Sequence, residues 1–245
     1  MKQVAKDEVF KQSMENPSDF KFDTNVVKVF DDMVTRSVPF YVEIQRMISE
    51  LAGQYYIDET NIYDLGCSTG TTMMNLDKAL PESIKFIGVD DSLEMLEKCN
   101  ANLEGSGIKR AFELISADLN KSVEIRNASV VILCLTLQFV RPLYRTRLLT
   151  QIFDGLVSGG CIIIIEKILA EEPVLNRNFI KYYYDFKRRN EYSEMEISQK
   201  REALENVLVP YKLSENIDML ASSGFAHTEI FFKWYNFAGI IAQKN

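Results

Sequence analysis

Residues 61–70 combine residue types that can hold a small charged ligand. A short apolar segment ends in Asp64, and Gly66 and Gly70 follow before a helical pattern begins. A strand, tight loop and helix start of this kind hold a ligand beyond the carboxyl end of the strand, where glycine lets the backbone approach closely. A strand-to-helix turn that needs glycine for packing alone would show the same pattern.

The spacing within this motif indicates the chemistry of the ligand. A dinucleotide fingerprint reads G-x-G-x-x-G and offers several N–H groups to a pyrophosphate, whereas the order here is Asp64-x-Gly66-x-x-x-Gly70. Because a carboxylate in the loop would repel a pyrophosphate, the pattern favours a cationic nucleoside without phosphate. S-adenosyl-L-methionine (SAM) has this chemistry, since its amino group and sulfonium are positive.

Two acids follow the next apolar segment. Asp90 and Asp91 end residues 84–91, and Asp90 lies 20 residues beyond Gly70. A carboxylate at this distance, at the tip of the second strand, can accept hydrogen bonds from both hydroxyls of an adenosine ribose. An aspartate here can also cap the following helix, but Asp91 or Ser92 is better placed for that role. We therefore assign ribose binding to Asp90.

Further residues are predicted to reach the same site. Asp118 and Leu119 follow a third short strand, where an acid can accept a hydrogen bond from the adenine amino group. Residues 129–137 are almost continuously apolar, which is typical of a central parallel strand, and the end of this strand from Cys134 onward is expected to line the site. Tyr41 follows a proline and either presents its ring or hydroxyl to the ligand or packs at a helix boundary.

Strands and helices alternate along the chain, which predicts an α/β fold with a single domain over residues 1–245. Residues 1–60 are predicted to form a polar arm, up to about residue 20, and two helices that cover the site as a lid. Residues 170–210 carry alternating charges and the cluster Tyr182-Tyr183-Tyr184, a pattern too polar for a core, and predict a helical insertion after the fifth strand. A final helix and hairpin complete a seven-stranded, mostly parallel sheet whose last strand runs antiparallel.

Composition excludes several functional classes. The net charge of −7 argues against direct nucleic-acid binding, because phosphate affinity needs a basic face. His227 is the single histidine, and we expect it to be a structural or surface residue. A Ser-His-Asp triad or a histidine-ligated metal site is therefore nearly excluded, and we expect no metal. The four cysteines form no C-x-x-C pair, so we expect reduced thiols. The sequence shows no signal-type segment and no apolar run long enough to span a membrane, so we expect a cytoplasmic location without membrane contact.

Several stretches from about residue 22 to the C-terminus resemble the carboxy-S-adenosyl-L-methionine (carboxy-SAM) synthases. The glycine motif is generic to a larger superfamily, but other stretches are specific. They include Arg36-Ser-Val-Pro39-x-Tyr41, Glu166-Lys167, Asp185-Phe-Lys-Arg188 and Ile197-Ser-Gln-Lys-Arg201. The resemblance implies a Rossmann-like class I methyltransferase fold and a homodimer.

The activity implied by this resemblance is a carboxyl transfer. The enzymes take the carbon dioxide released from prephenate and attach it to the methyl group of SAM, which leaves phenylpyruvate and gives carboxy-SAM. A separate enzyme then uses carboxy-SAM to modify the wobble uridine of tRNA. Because the positive sulfonium stabilises a neighbouring carbanion, neither a histidine base nor a metal is required. The new carboxylate does need a cation, and a guanidinium can bind it through two hydrogen bonds.

The family's ligand contacts carry over onto matching positions of this chain. Arg201 of the neighbouring subunit is expected to hold the carboxylate of the ligand. Its charged neighbours on the helix, taken alone, would instead indicate a surface residue. Arg201 and Tyr41 are the predicted catalytic residues. The chain departs from the family's common residues at Phe40 (glycine), Cys134 (asparagine) and Asp91 (asparagine). The predicted contacts are Tyr41, Gly66, Cys67, Ser68, Asp90, Asp91, Asp118, Leu119, Cys134 and Arg201.

Two other functions are compatible with the same fold and cofactor residues, because a fold does not fix a function. One is an ordinary SAM-dependent methyltransferase acting on a small molecule or RNA. The other is a non-catalytic SAM-binding dimer, which would keep Asp90 but would need no arginine at the ligand.

Overall fold

The computed structural model describes residues 6–12 and 20–245. The predicted N-terminal arm therefore lies partly outside the described residues, in 1–5 and 13–19. Its described part is anchored to the rest of the chain: Asp7 is buried and accepts a hydrogen bond of 2.6 Å from the hydroxyl of Tyr192.

A central, mostly parallel sheet organises the chain. Its strands are β1 (Asn61–Leu65), β2 (Lys85–Asp90), β3 (Phe112–Ser116), β4 (Ala128–Cys134), β5 (Leu156–Leu169), β6 (Tyr211–Lys212), β7 (His227–Trp234) and β8 (Phe237–Gln243). The order is β3-β2-β1-β4-β5-β8-β7, and β8 runs antiparallel to both of its neighbours. This is the predicted seven-stranded path with its antiparallel last strand. The short β6 pairs with β5 and adds an eighth strand that two residues are too few to predict.

Helices cover both faces of this sheet. They are α1 (Thr24–Ser37), α2 (Tyr41–Tyr55), α3 (Thr71–Asp77), α4 (Leu93–Ser106), α5 (Pro142–Gly155), α6 (Pro173–Arg189), α7 (Glu194–Leu204) and α8 (Leu213–Ser222). One apolar core lies between the sheet and α2, α3 and α4, and a second lies between the sheet and α5 and α8. In the described ranges, no helix combines the length and the apolar character that crossing a membrane would require.

The order of the strands determines where a ligand can bind. The chain runs outward from β1 to β2 and β3 and then returns to place β4 on the other side of β1. In an open parallel sheet, the crevice at the carboxyl ends of strands where the order reverses is the usual ligand site. The loops that follow β1 and β4 therefore frame the site, as the glycine motif predicts.

The tyrosine cluster on α6 corrects one expectation. The sequence predicts that residues 170–210 are too polar for a core, yet Tyr183 is buried and its ring lies 5.3 Å from the ring of Phe237 on β8. Tyr182 is exposed and its ring packs 5.0 Å from that of Tyr235. Helix α6 is thus amphipathic and packs one face on the sheet, so the cluster has partners within its own chain.

Candidate active site

One cavity of about 780 Å³ opens at the carboxyl edge of the sheet, a volume suited to a small-molecule ligand. The loops after β1 to β4 form one side of it, and residues of α1, α2, α6 and α7 form the other. Every predicted site residue lines this cavity: Tyr41, Gly66, Cys67, Ser68, Asp90, Asp91, Asp118, Leu119, Cys134 and Arg201. The structure therefore brings together residues that are up to 160 positions apart in the sequence.

The glycine loop after β1 has a conformation that other residues rarely adopt. Gly66 has a φ of 78° and Gly70 a φ of 84°, and Gly70 is the residue before α3. The amides of Gly66 and Cys67 both donate to the carbonyl oxygen of Val89, at 2.7 and 3.0 Å. The loop is thereby held against β2, and a Cβ built on Gly66 would lie 2.4 Å from Oγ1 of Thr136.

We therefore expect Gly66→Ala to destabilise the protein. Positive φ and the contact with Thr136 both oppose a side chain there, and strain of this kind costs about 1–3 kcal/mol. Gly105→Ala is a matched control, because Gly105 lies in α4, a Cβ added there would have nothing within 4 Å, and alanine favours a helix. Urea unfolding should show opposite signs for the two variants; equal stability of Gly66→Ala and the wild type would contradict this reading.

Asp90 ends β2 and faces the cavity. Its Oδ2 accepts a 3.0 Å hydrogen bond from the amide of Ser68, and its Oδ1 accepts one of 3.0 Å from the amide of Ser92. Burial raises the pKa of Asp90 above its ordinary value. Since a carboxylate can accept about four hydrogen bonds, two positions remain for donors on a ligand. Ser92 itself caps α4 by accepting from the amide of Met95, so the cap is Ser92 and not Asp90.

Asp64 lies beneath the loop in β1 and does not line the cavity. It is buried, and neither carboxylate oxygen has a hydrogen-bond partner among the described residues. Burial, together with the charge of Asp90, raises the pKa of Asp64 to about 7. A positive ligand near these two acids would stabilise their charged forms. This buried, unpaired acid therefore fits the cationic nucleoside indicated by the sequence.

Asp118 follows β3 and completes the acidic end of the cavity. Its Oδ1 accepts hydrogen bonds of 2.9 Å from both the backbone amide and the side-chain amide of Asn120. Burial raises the pKa of Asp118, but the hydrogen bonds from Asn120 together with the nearby Lys121 outweigh this effect and hold the pKa below its ordinary value. Burial and the charge of Asp118 in turn raise the pKa of Asp91.

The joint between α1 and α2 places Tyr41 against Cys134. Phe40, the residue before α2, has a φ of 56°, in the left-handed region that favours glycine. Gln45 donates from Nε2 to Sγ of Cys134 at 3.6 Å. Burial raises the pKa values of both Tyr41 and Cys134 well above their ordinary ranges, so both side chains are neutral at physiological pH.

The loop after β4 is fixed by a buried carboxylate of β5. Glu166 accepts from the amides of Leu137 and Gln138 at 2.9 and 2.8 Å. Burial raises the pKa of Glu166 to about 8. Gln138 in turn accepts from the backbone amide of Lys167 at 3.1 Å. These contacts hold the wall of the cavity between β4 and β5, a role that the sequence does not reveal.

Three lysines line the other end of the cavity: Lys167 on β5, Lys187 on α6 and Lys200 on α7. We call them the lysine cluster. Lys187 and Lys200 are only 5% and 6% exposed. Burial lowers the pKa values of Lys167 and Lys200 to about 8, and burial with the charges of Lys200 and Lys167 lowers that of Lys187 well below its ordinary value. Sequence reasoning missed this cluster, although all three residues stand in the stretches that carry the family resemblance.

Arg201 borders the mouth of the cavity of its own chain. Its side chain is 60% exposed, and its guanidinium lies 3.5 Å from Oγ of Ser198 and 3.8 Å from a carboxylate oxygen of Glu202. Both contacts are long, so the guanidinium remains available to a ligand. The exposure also leaves it accessible to a neighbouring chain.

His227 lies exposed on β7 and does not line the cavity. Within the described ranges, no group of three or more histidine, cysteine, aspartate or glutamate side chains is arranged to hold a metal ion.

Solved structures establish the fold independently. An O-methyltransferase family protein from Burkholderia thailandensis matches 91% of this chain and 61% of its own chain, with a TM-score of 0.66 and 14% identity. Human N-acetylserotonin methyltransferase, solved in complex with SAM, matches 90% of this chain and 56% of its own, with a TM-score of 0.60 and 15% identity. The chain thus spans about three fifths of the length of these structures.

Sequence relatives are similar over the whole chain. A family model described as a methyltransferase domain matches residues 62–160. A carboxy-SAM synthase from Methylococcus capsulatus is 56% identical over 242 residues, covering 98% of this chain and 100% of the relative. Another from Sulfurimonas denitrificans is 44% identical, covering 97% and 99%. The chain belongs to the carboxy-S-adenosyl-L-methionine synthase family.

Proposed function

We propose that this protein converts SAM and prephenate into carboxy-SAM and phenylpyruvate. The observation that carries the proposal is that one cavity has an acidic end, around Asp90 and Asp118, and a cationic end, formed by the lysine cluster and Arg201. The acidic end suits a cationic nucleoside. The cationic end suits an anionic carboxyl donor and a carboxylated product, for which an ordinary methyltransferase has no need.

The residues of the acidic end fit SAM. Asp90 has acceptor positions available for the ribose hydroxyls. Asp118 and Leu119 line the same end of the cavity and are proposed to contact the adenine. The bound sulfonium makes the adjacent methyl C–H bond acidic. A positive charge at this end of the cavity would in turn favour the charged forms of the nearby acids Asp64 and Asp90. Tyr41, neutral and next to Cys134, closes the cavity from the side of α2.

The net reaction balances without an oxidant or a further reactant. The C–C bond between the ring of prephenate and its carboxyl group breaks and releases carbon dioxide. A new C–C bond then joins the carbon of the carbon dioxide to the methyl carbon of SAM. The ring hydroxyl leaves as hydroxide, and with the proton lost from the methyl group it forms one water. The ring becomes aromatic, and phenylpyruvate is left. Arg201 would then hold the new carboxylate through a charged hydrogen bond.

The proposed product is used by a separate enzyme to modify the wobble uridine of tRNA in the cytoplasm. This protein itself is proposed not to bind RNA, which is consistent with its net charge of −7.

Mass spectrometry of the reaction mixture tests the proposal. We expect purified protein with SAM and prephenate to accumulate carboxy-SAM and phenylpyruvate in equal amounts, and to do so unchanged in excess chelator. Formation of S-adenosylhomocysteine and a methylated product instead would indicate an ordinary methyltransferase. Loss of turnover in chelator, restored by one divalent ion, would contradict the metal-free mechanism.

We also propose that the protein is a homodimer joined through α6. Leu175, Phe179 and Tyr182 follow a spacing of four and three residues on one face of this helix. The rings of Phe179 and Tyr182 lie 5.3 and 5.0 Å from that of Tyr235. Leu175, Tyr182 and Tyr235 are exposed, and a contiguous exposed apolar patch of this kind is typical of an interaction surface.

Light scattering tests this assembly. At micromolar concentration we expect the mass of two chains for the wild type and of one chain for Leu175→Asp, because a charge in an apolar interface is costly. Leu143→Asp, at an exposed leucine of α5, is the control and should remain dimeric. A wild-type protein with the mass of one chain would contradict the proposal.

A further inference from the structure

The lysine cluster carries more positive charge than the described residues neutralise. Lys200 lies 3.7 Å from a carboxylate oxygen of Asp7 and 3.2 Å from Oγ of Ser37. Among the described residues, the ammonium groups of Lys167 and Lys187 have no hydrogen-bond acceptor and no carboxylate within 4.0 Å. Their shared neighbour is the ring of Tyr183, whose centre lies 5.0 and 4.9 Å from the two ammonium groups.

This arrangement is unfavourable for the protein without a ligand. Burying a charge costs far more than one aromatic ring returns, unless the charge is paired with an opposite one. The three ammonium groups also repel each other, and burial lowers their pKa values. The cluster borders the cavity, so an anion that enters the cavity can pair with these groups.

The position of the cluster in the sheet separates it from the nucleoside end. Asp90 ends β2, and Lys167 lies on β5, three strand positions away in the order β2-β1-β4-β5. With neighbouring strands about 4.8 Å apart, this separation is roughly 14 Å. One cavity therefore has room for two molecules side by side, which would meet above the tips of β1 and β4.

We propose that Lys167, Lys187 and Lys200 bind the carboxylates of the carboxyl donor, and so hold this anionic substrate at the β5 end of the cavity while the nucleoside occupies the β2 end. The donor of the proposed function carries two carboxylates, which matches a cluster with two unpaired ammonium groups and a third that is only loosely paired. This inference rests on the proposed function and adds the residues that recognise the second substrate.

Arg201 has a different role from its neighbour in the sequence. Lys200 is buried against Asp7 and Ser37, whereas Arg201 stands exposed at the mouth. The lysines would bind the donor before the reaction, and Arg201 would bind the carboxylate of the product.

Lys187→Met and Lys167→Met test this inference, because methionine keeps the length of the side chain and removes the charge. With SAM saturating, each variant should raise the KM for prephenate roughly tenfold or more, while the dissociation constant of SAM stays within about twofold of that of the wild type. Calorimetric titration with phenylpyruvate, which keeps one of the two carboxylates, should show the same loss. Lys181→Met, at an exposed lysine of α6, is the control and should change neither value.

Thermal unfolding separates ligand binding from a structural role. Because neither ammonium group has an acceptor in the described residues and Lys187 is buried, removal of either charge should leave the melting temperature unchanged or raise it. A lowered melting temperature together with weaker SAM binding would show a structural role and overturn the inference, as would unchanged KM and phenylpyruvate affinity. If the wild type forms no carboxy-SAM, the proposed function fails and the phenylpyruvate titrations alone decide the inference. A wild type that does not bind phenylpyruvate then overturns it.

Discussion

Asp90→Ala is expected to weaken SAM binding roughly 10- to 100-fold. The substitution would remove the charged acceptor that we propose for two ribose hydroxyls, and hydrogen bonds to charged groups contribute about 1.5–3 kcal/mol. It also removes the acceptor of the Ser68 amide, which helps to hold the glycine loop. Calorimetric titration with SAM measures the effect directly.

Two controls isolate the role of Asp90. Asp154→Ala removes an exposed acid at the end of α5 that does not line the cavity, and should leave SAM affinity unchanged. The melting temperature of Asp90→Ala shows whether the variant remains folded, since the loss of a buried negative charge near Asp64 offsets part of the damage to the loop. An affinity for SAM equal to that of the wild type would rule out ribose binding by Asp90.

Arg201→Ala is expected to weaken binding of carboxy-SAM roughly 10- to 100-fold, the scale of one lost charged contact. Binding of unmodified SAM should barely change, because SAM lacks the carboxylate that the guanidinium would hold. Arg147→Ala is a suitable control, since this arginine lies on α5 and does not line the cavity. Equal losses for SAM and carboxy-SAM would assign Arg201 a structural role instead.

Exchange of subunits decides which chain supplies the arginine. We expect it to come from the neighbouring subunit, although Arg201 also borders the cavity of its own chain. In an equal mixture of Asp90→Ala and Arg201→Ala chains, half of the dimers are mixed. If the arginine acts across the interface, each mixed dimer has one intact site, and roughly a quarter of all sites should recover. If the arginine acts within its own chain, every site stays damaged and the mixture is no more active than its components.

The local patterns of the sequence were sufficient to predict which residues line the acidic half of the cavity. Gly66, Asp90 and Asp118 each follow an apolar strand, and parallel strands bring their carboxyl ends to one edge. The type and the place of these residues are therefore fixed by a few neighbouring positions. The cap of α4 at Ser92 follows from equally local chemistry.

The cationic half depends on contacts that no local pattern contains. Lys187 and Lys200 stand among charged residues that are typical of exposed helices, whereas Lys167 lies near the end of an apolar strand. Packing of α6 on the sheet and of α7 on α6 buries Lys187 and Lys200, which line the cavity together with the half-buried Lys167. The same packing buries Tyr183, for which the sequence predicts a surface position. The sequence by itself determined the strand ends, their glycines and their acids, because backbone geometry and sheet order act over short distances. Only the tertiary structure decided which charged side chains are buried, because burial depends on segments that meet only when the chain has folded.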